Sequence, residues 1–454
     1  MDDKMSRTRH MQADDKKYLW HPFTQMRDWV AEEPLVIERG RGSYLYDTLG
    51  NRYIDGVSSL WVNVHGHRKR EVDNAVIRQV RTLAHSTFLG LTHPTAIELA
   101  KRLVKVTPKG LDRVFYSDSG STAVEIALKM AFQYWRHQGD DERTKYLCLK
   151  EAYHGDTIGS VSVGGMDLFH EAFGPLLFET VKAPAPYCYR CELGLISPKC
   201  KLACADRLGE LMKKHAGEVA AMVIEPVVQG AAGMITHPKG YLKRVRELCD
   251  RHGIFMIADE VATGFGRTGR MFACEHEGVS PDIMCLAKGI TGGYLPLAAT
   301  LTTSKIYDGF LGEYGEFKTF FHGHTYTGNP LACAAALASL DIFAKEKTLE
   351  MLKGKTALLS EMLEKVYALP HVGDVRQRGF MVGIELVRDK ATREPYPLSE
   401  KRGILVTQAA RDMGVIIRPL GNVIVLMPPL SISEAELKKL VGVVLKAIKK
   451  VTGE

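Results

Sequence analysis

IFMIAD at residues 254–259 and IMCLAK at residues 283–288 are short apolar runs, and each of them ends in a charged residue. Runs of this length and composition are typical of strands that are buried on both faces of a sheet. From about Val114 to Leu286 such runs alternate with segments of helical periodicity, including a predicted helix at Tyr241 to Asp250. This alternation predicts the α/β class, with a mainly parallel sheet covered by helices.

Other parts of the chain complete the predicted organisation. Further strands of the main sheet are predicted at Val114 to Tyr116, Tyr146 to Leu149 and Ala220 to Ile224. After Pro330 an alanine-rich helix leads into helices and shorter strands, which indicates a smaller α+β domain. The shorter strands are Val382 to Leu386, Val415 to Ile417 and Val423 to Leu426. Near the start, Tyr44 to Asp47 and Tyr53 to Asp55 flank a Gly-Asn turn and predict a hairpin.

The composition is that of an ordinary globular protein. Of the 454 residues, 45% are hydrophobic and 25% are charged, with a formal net charge of +7. No block of about five or six like charges occurs, so we expect no nucleic-acid partner. No run of about 18 apolar residues occurs, and the N-terminus MDDK lacks the apolar segment of a signal peptide. We therefore expect no membrane contact and a cytoplasmic location.

Functional residues of an open α/β sheet are found just after the carboxyl ends of its strands. Lys288 follows one strand, where burial would make its amine nucleophilic enough for Schiff-base formation. Asp259 follows another, where a carboxylate can keep a pyridine nitrogen protonated. Tyr153 follows a third, where its ring can stack on a cofactor or lie at the surface of a turn. Lys288 alone could reach solvent and Asp259 alone could cap a turn, but neither alternative explains the pair.

A candidate phosphate site lies at residues 118–122, DSGST, directly before a predicted helix. The free N–H groups at a helix N-terminus and the hydroxyl of Ser119 or Ser121 can together bind an anion. Thr122 and Glu125 have the spacing of a capping box. The alternative is that Ser-Gly-Ser serves only as a helix cap.

GFGRTG at residues 264–269 has the spacing of a dinucleotide-binding motif. That motif opens a helix directly after a strand, and here DEVA intervenes and no helix start follows. We therefore interpret the segment as a glycine-rich loop near the active site and do not expect a dehydrogenase.

DEVATGFGRTG at residues 259–269, followed by LAKG at residues 286–289, resembles the signature of the class III aminotransferases. These are enzymes of fold type I that use pyridoxal 5'-phosphate. The similarity extends over essentially the whole chain. It implies a large cofactor-binding domain at residues 71–335, and a small domain formed by both chain ends, residues 1–70 and 336–454.

The same resemblance implies a role for each residue around the cofactor. Lys288 would form the Schiff base, Asp259 would hold the pyridinium nitrogen, and Tyr153 would lie against the ring. Gly120 and Ser121 would hold the phosphate.

The resemblance also implies a homodimer with shared active sites. Gly323, His324 and Thr325 would reach the cofactor phosphate of the neighbouring subunit, and Gly323 would lie beside the substrate as well. No metal is expected at this site.

Within the class, four stretches resemble a narrower family, the 7,8-diaminopelargonate synthases of biotin biosynthesis. The stretches are residues 20–26 (WHPFTQM), 153–157, 321–330 and 418–420. The implied substrates are small molecules, the keto acid 8-amino-7-oxononanoate and an amino donor. Arg418 would bind the carboxylate of the keto acid, and Arg267 would be a second polar contact. The alternatives are a class III aminotransferase for ornithine, 4-aminobutyrate or another ω-amine, and a mutase or racemase on the same scaffold.

Three residues bear on the amino donor. Most members of this narrower family use S-adenosyl-L-methionine, and they usually carry two consecutive tryptophans where this chain has Leu60-Trp61, and tyrosine where it has Phe23. A sulfonium cation is attracted to an aromatic face by about 0.5 to 2 kcal/mol, and Leu60 offers no such face. A smaller group, found in bacilli, uses L-lysine and resembles this chain at residues 23–26, 62–67 and 418–421. Both donors stay open.

Four of the nine cysteines have a spacing that could bind zinc, namely Cys188, Cys191, Cys200 and Cys204. The alternative is an irregular insertion rich in proline and glycine, with free thiols. A reducing compartment makes structural disulfides unexpected.

Overall fold

A seven-stranded sheet forms the centre of the molecule in the computed structural model, which describes residues 2–454. From one edge to the other its strands are Leu111–Ser117, Ala298–Thr303, Ile283–Leu286, Phe255–Asp259, Val219–Ile224, Lys145–Leu149 and Thr180–Ala183. All of them run in one direction except Ala298–Thr303, which is antiparallel to both of its neighbours. The predicted mainly parallel sheet is confirmed.

The main sheet is buried on both faces, which explains why its strands could be predicted from the sequence. In Lys145–Leu149, for example, Leu147 and Leu149 belong to one apolar cluster, and Tyr146 and Cys148 belong to a second cluster. Both faces of such a strand need apolar residues, so it appears in the sequence as a continuous apolar run.

Two strands of the main sheet were not predicted, Ala298–Thr303 and Thr180–Ala183. Both contain threonine, so neither forms a continuous apolar run. Thr300 is nevertheless fully buried, because its hydroxyl donates a hydrogen bond of 2.9 Å to the carbonyl of Ala123. A satisfied hydroxyl can be buried at little cost, and the sequence pattern does not reveal that partner.

Helices pack around the sheets. The α-helices are Asp2–Tyr18, Met26–Ala31, Ser58–Trp61, Arg70–Val80, Pro94–Val106, Gly120–His137, Ile158–Ser162, Asp167–His170, Ala203–Lys214, Tyr241–His252, Ser304–Asp308, Pro330–Lys345, Thr348–Tyr367, Arg402–Asp412 and Glu434–Thr452. Short 3-10 helices are Glu171–Leu176, Ala273–His276, Lys288–Thr291, Tyr314–Glu316 and Leu398–Glu400. Among residues 2–454, none of the helices combines the length and the apolar character that crossing a bilayer requires.

Three smaller sheets complete the fold. A four-stranded sheet consists of Ile37–Arg41, Tyr44–Asp47, Arg52–Asp55 and Val415–Ile416. A five-stranded sheet consists of Val372–Arg378, Met381–Asp389, Val423–Leu426, Arg418–Leu420 and Glu394–Pro395. The two-stranded sheet pairs Val228–Gln229 with Ile235–Thr236.

The four-stranded sheet joins the two ends of the chain. Val415–Ile416 pairs in parallel with Arg52–Asp55, and Arg52–Asp55 pairs antiparallel with Tyr44–Asp47. The predicted hairpin and the predicted α+β region built from both chain ends are therefore confirmed. The boundaries after residues 70 and 335 stay a prediction, and the helix Pro330–Lys345 crosses the second of them.

Candidate active site

A cavity of about 760 Å³ lies at the carboxyl ends of the parallel strands. Nine of the predicted site residues line it, namely Phe23, Leu60, Trp61, Gly120, Ser121, Tyr153, Asp259, Lys288 and Arg418. The fold thus brings together residues from almost the full length of the sequence. Four predicted residues are not in its lining, namely Arg267, Gly323, His324 and Thr325.

Lys288 begins a short helix after Ala287, the residue that follows the strand Ile283–Leu286, and its φ is 45°. This left-handed conformation is unusual for lysine and is more frequent at functional sites than elsewhere. The Nζ atom lies 4.9 Å from the centre of the Trp61 ring. Burial lowers the pKa of the amine, although Asp259 and Glu225 partly oppose the effect. At neutral pH more of this amine is unprotonated than in an ordinary lysine, and that is the nucleophilic form.

Asp259 is the last residue of the strand Phe255–Asp259, and its carboxylate is buried. Its Oδ2 lies 2.8 Å from Nδ1 of His154, and its Oδ1 accepts the N–H of Val261 at 3.0 Å. His154 has a fully buried side chain and was not among the predicted site residues, although it directly follows Tyr153. The two contacts hold the carboxylate in one orientation at the end of the strand.

The helix Gly120–His137 begins with a capping box that lies three residues earlier than expected. Ser119 is the N-cap and accepts the N–H of Thr122 at 3.3 Å, while the Thr122 hydroxyl accepts the N–H of Ser119 at 3.0 Å. The predicted pairing of Thr122 with Glu125 is therefore wrong. Glu125 instead accepts the N–H of Gly159 at 2.6 Å.

The first turn of this helix has the properties of an anion site. The first N–H groups of a helix have no partner within it, and here they belong to Gly120 and Ser121, which line the cavity. A Cβ atom at position 120 would lie 2.5 Å from Cγ1 of Val261, so the backbone comes close to its surroundings only because the residue is glycine. The hydroxyl of Ser121 lies 2.8 Å from that of Thr157. Backbone and hydroxyl donors of this kind suit a phosphate group.

Tyr153 is held at two points. Its N–H donates to Oε1 of Glu225 at 3.1 Å, and its hydroxyl donates to Asp156 at 2.8 Å. Burial raises the pKa of this hydroxyl, so the ring stays neutral. Glu225 also accepts the N–H of Gly230 at 2.8 Å, and burial raises the pKa of its carboxyl to about 7. Glu225 directly follows the predicted strand Ala220 to Ile224, but its contact with the Tyr153 backbone was not predicted.

Arg418 lines the cavity from the strand Arg418–Leu420. Within residues 2–454 its guanidinium makes no hydrogen bond or ion pair, and burial lowers its pKa while Tyr153 opposes that effect. A partly desolvated cation without a partner is stabilised by a bound anion, and the planar fork of arginine matches a carboxylate.

Arg267 lies outside the cavity lining, although it was expected to contact the substrate. It is 1% exposed, and its guanidinium donates to the carbonyls of Pro428 at 2.9 Å and Asn63 at 2.8 Å. Burial lowers its pKa to about 9. These contacts tie together backbone segments beneath the site, and a direct role in substrate binding stays a prediction.

Aromatic rings form one wall of the cavity. Phe169 lies with its ring centre 5.4 Å from that of Phe23 and 6.4 Å from that of Tyr153. Leu60 is half exposed, and Trp61 beside it is buried. Phe169 was not predicted, because it comes from a four-residue helix whose position depends on tertiary packing.

Gly323, His324 and Thr325 belong to a largely exposed segment at the surface of this chain. The Nδ1 atom of His324 lies 2.8 Å from Oδ2 of Asp118, which does line the cavity. Phe321 is 73% exposed in the same segment. Large exposed aromatic side chains are typical of a surface that another chain covers. The contribution of this segment to the active site of a neighbouring subunit stays a prediction.

The four cysteines of the predicted zinc alternative line a second, small cavity. All nine cysteines are free thiols. In the part of the chain that the structure describes, no three histidine, cysteine, aspartate or glutamate side chains are grouped so as to hold a metal ion. The structure therefore provides no ligand set for zinc.

Comparison with known proteins identifies the family. A family model described as aminotransferase class-III matches residues 26–448. The chain is 61% identical to the adenosylmethionine-8-amino-7-oxononanoate aminotransferase of Nitratidesulfovibrio vulgaris, over 98% of this chain and 83% of that protein. It is 59% identical to the protein of the same name from Geobacter sulfurreducens, over 97% of both chains.

Solved structures agree with this result. The crystal structure of adenosylmethionine-8-amino-7-oxononanoate aminotransferase from Methanocaldococcus jannaschii has a TM-score of 0.93 at 50% identity, covering 97% of this chain and 99% of that one. An (S)-enantioselective omega-transaminase from Thermomicrobium roseum has a TM-score of 0.93 at 38% identity, covering 97% and 98%.

The residues that line the cavity fit the cofactor of this family. A lysine with a lowered pKa, a fixed buried carboxylate and a helix N-terminus suited to phosphate are the three groups that pyridoxal phosphate requires. The chain belongs to the class III aminotransferases and is a pyridoxal-phosphate-dependent transaminase.

Proposed function

We propose that this enzyme transfers an amino group from S-adenosyl-L-methionine to 8-amino-7-oxononanoate, giving 7,8-diaminononanoate in biotin biosynthesis. Relatives that share half or more of its residues carry the name of that reaction. The observation that carries the proposal is Arg418, which lines the same cavity as the Lys288 amine. The keto acid ends in a carboxylate far along its chain from the ketone, and an unpartnered guanidinium is a suitable group to bind it.

The residues that would hold the cofactor follow from the geometry of the cavity. Gly120 and Ser121 would bind its phosphate, and Asp259 would face its ring nitrogen. Tyr153 would lie against the ring, with Lys288 at the carbonyl carbon. When bound, pyridoxal phosphate supplies an electron sink for the negative charge that develops on the substrate carbon.

Lys288 also serves as the proton carrier of the reaction. Its lowered pKa increases the share of unprotonated Nζ, which is the form that can take a proton from the carbon that bears the amino group. The protonated Nζ can then return the proton. Trp61 lies beneath this amine and limits its contact with water.

We propose S-adenosyl-L-methionine over L-lysine as the donor. Position 60 carries leucine, but Phe169 adds an aromatic face that the sequence did not predict, beside Phe23 and Tyr153. A sulfonium cation gains about 0.5 to 2 kcal/mol from such a face. We infer that this wall compensates for the missing indole at Leu60.

An ω-amino-acid aminotransferase of the same class, acting on ornithine or 4-aminobutyrate, is the alternative function. It would use the same cofactor groups. It is less favoured, because solved omega-transaminases share 30–38% of this chain's residues, well below the relatives named for 8-amino-7-oxononanoate.

We further propose a homodimer in which Gly323, His324 and Thr325 of one subunit complete the phosphate site of the other. Mixing two inactive variants, Lys288→Ala and Thr325→Asp, tests this arrangement. In a mixed dimer with shared sites, one site carries both changes and the other carries neither. Random exchange of subunits should therefore restore about a quarter of the wild-type activity. A mixture that exchanges subunits and stays inactive would contradict shared sites.

Substrate and donor are tested together with purified enzyme and 8-amino-7-oxononanoate. We expect a specificity constant for S-adenosyl-L-methionine that exceeds the one for L-lysine by more than about tenfold, and little change in Leu60→Trp. A preference for lysine would contradict the proposed donor. Failure of both donors, together with activity on ornithine or 4-aminobutyrate, would contradict the proposed substrate.

A further inference from the structure

The nine cysteines fall into two groups by exposure. Cys148, Cys249, Cys274, Cys285 and Cys333 are buried. The four in the segment 188–204 are accessible to different degrees, with Cys188 exposed and the other three partly exposed. A small reagent in solution can therefore reach this segment first.

The four accessible thiols are grouped around Cys188. All four line the small second cavity, whose lining comes from residues 185–204 and from Pro238. The main cause of the raised pKa of Cys188 is desolvation, and the nearby thiols of Cys200 and Cys191 raise it further. Cys188 in turn raises the pKa of Cys204. Of the two thiols that raise the pKa of Cys188, Cys200 has the larger effect, and Cys200 also raises the pKa of Cys204.

This segment also contacts the five-stranded sheet. The Tyr187 hydroxyl donates to Glu385, and Nε of Arg190 donates to the same carboxylate at 2.6 Å. Arg376 donates to Glu385 at 2.6 Å and to the carbonyl of Gly233 at 2.8 Å. Tyr187 and Arg190 of the cysteine segment thus bind the five-stranded sheet through Glu385, and we call this set of contacts the Glu385 cluster.

We propose that Cys188 and Cys200 form a reversible disulfide, and that the disulfide braces the segment carrying Tyr187 and Arg190. This modification site is independent of the proposed substrate and donor. The oxidant is a low-molecular-weight disulfide such as oxidised glutathione.

The reaction has two exchange steps. The thiolate of Cys188 attacks one sulfur of the small disulfide and releases one small thiolate, which takes up a proton. The thiolate of Cys200 then attacks the Cys188 sulfur of the mixed disulfide and releases the second small thiolate. Two protein thiols are oxidised, one small disulfide is reduced to two thiols, and the two protons of the protein thiols end on the released thiols.

The surroundings of Cys188 predict how the rate of its oxidation depends on pH. Cys188 is exposed as a residue, but its sulfur is partly desolvated, which raises the pKa of the thiol, and a hydrogen bond with Ser197 partly offsets the effect. The reactive thiolate is therefore scarce at neutral pH, and the oxidation rate should rise steeply from pH 7 to pH 9.

The test uses the full-length holoenzyme incubated with oxidised glutathione, followed by alkylation, digestion and mass mapping. We expect a peptide that links Cys188 to Cys200, and seven free thiols after unfolding in place of the nine of the reduced protein. Cys188→Ser and Cys200→Ser should each abolish the link. Cys191→Ser is the matched control, since it changes a thiol of the same cavity, and it should leave the link intact.

Several results would overturn the proposal. They are nine thiols remaining after treatment, a link between other cysteines, or about one equivalent of zinc that protects all four thiols from alkylation.

The thermal unfolding midpoint tests the bracing effect. Closing a loop of this size should raise the midpoint by about 2 to 5 °C in the oxidised wild type and not in Cys200→Ser. An unchanged midpoint would contradict the bracing of the Glu385 cluster.

Discussion

Nδ1 of His154 lies 2.8 Å from Oδ2 of Asp259, and both side chains are buried at the end of the central strand. Together with the Val261 N–H on Oδ1, this contact leaves the carboxylate one orientation. A carboxylate that has to face a ring nitrogen loses its effect when it rotates away. We therefore expect His154 to act as a positioning residue, through Asp259.

Replacing His154 with alanine should lower kcat by about 10- to 100-fold, since one hydrogen bond to a charged group contributes about 1.5 to 3 kcal/mol. Cofactor binding, followed by its visible absorption, should remain. His154→Asn keeps an N–H donor and should recover part of the rate. A His154→Ala enzyme with the wild-type kcat would show that Asp259 does not need this contact.

Replacing Arg418 with alanine should raise KM for the keto acid by about 10- to 100-fold and change kcat less, because a charge-assisted bidentate contact is lost. Arg418→Lys keeps the positive charge but not the bidentate guanidinium, so its KM should lie between those of the wild type and Arg418→Ala. Arg411→Ala, at an exposed arginine outside the cavity, is the control and should match the wild type. Steady-state kinetics with varied keto acid would contradict the assignment if KM stayed unchanged in Arg418→Ala.

Phe169→Leu should lower the specificity constant for S-adenosyl-L-methionine by about 2- to 30-fold, the equivalent of one cation–π contact of about 0.5 to 2 kcal/mol. KM for the keto acid should hardly change. Phe173→Leu is the matched control, because Phe173 lies in the adjoining 3-10 helix and does not line the cavity. Equal effects of the two substitutions would mean that Phe169 contributes only to packing.

His237 is buried, and neither ring nitrogen has a hydrogen-bond partner among residues 2–454; burial together with Arg378 lowers its pKa to about 3. An unfolded histidine takes up a proton near pH 6.5, whereas the folded one stays neutral until about pH 3. Between pH 6.5 and pH 3 the free energy of unfolding therefore falls by about 1.4 kcal/mol for each pH unit of acidification. The full contribution of His237 to stability is present only above pH 6.5.

His237→Phe removes this contribution. Between pH 7 and pH 5 the variant should lose about 2 kcal/mol less stability than the wild type, as measured by urea unfolding at both pH values. His10→Gln, at an exposed histidine, should leave the pH dependence unchanged. An identical pH dependence in wild type and His237→Phe would show that His237 does not titrate in this way.

The residues that sequence analysis identified best are those at the ends of buried strands. The runs before Asp259 and Lys288 are apolar on both sheet faces, so their ends could be located without a structure, and the chemistry of the two side chains indicated a cofactor. The strand Ala298–Thr303 was missed because the partner of its buried Thr300 hydroxyl lies far away in the sequence.

Side chains whose surroundings depend on tertiary packing could not be assigned in the same way. Phe169 reaches the cavity only because its short helix packs beside Tyr153 and Phe23. Arg267 lies in a motif next to the site, yet its guanidinium turns to the carbonyls of Pro428 and Asn63. A motif reveals which backbone segment is near the chemistry, and it does not reveal the direction of each side chain.

The central claim is that Lys288 is the residue that carries the cofactor. The most direct test is to reduce the holoenzyme with sodium borohydride, which converts a carbon–nitrogen double bond into a stable single bond, and to map the modified peptide by mass spectrometry. We predict one pyridoxyl group per chain, on Nζ of Lys288, and none in Lys288→Ala. A pyridoxyl group on another lysine of the wild-type enzyme, or none at all, would contradict this account.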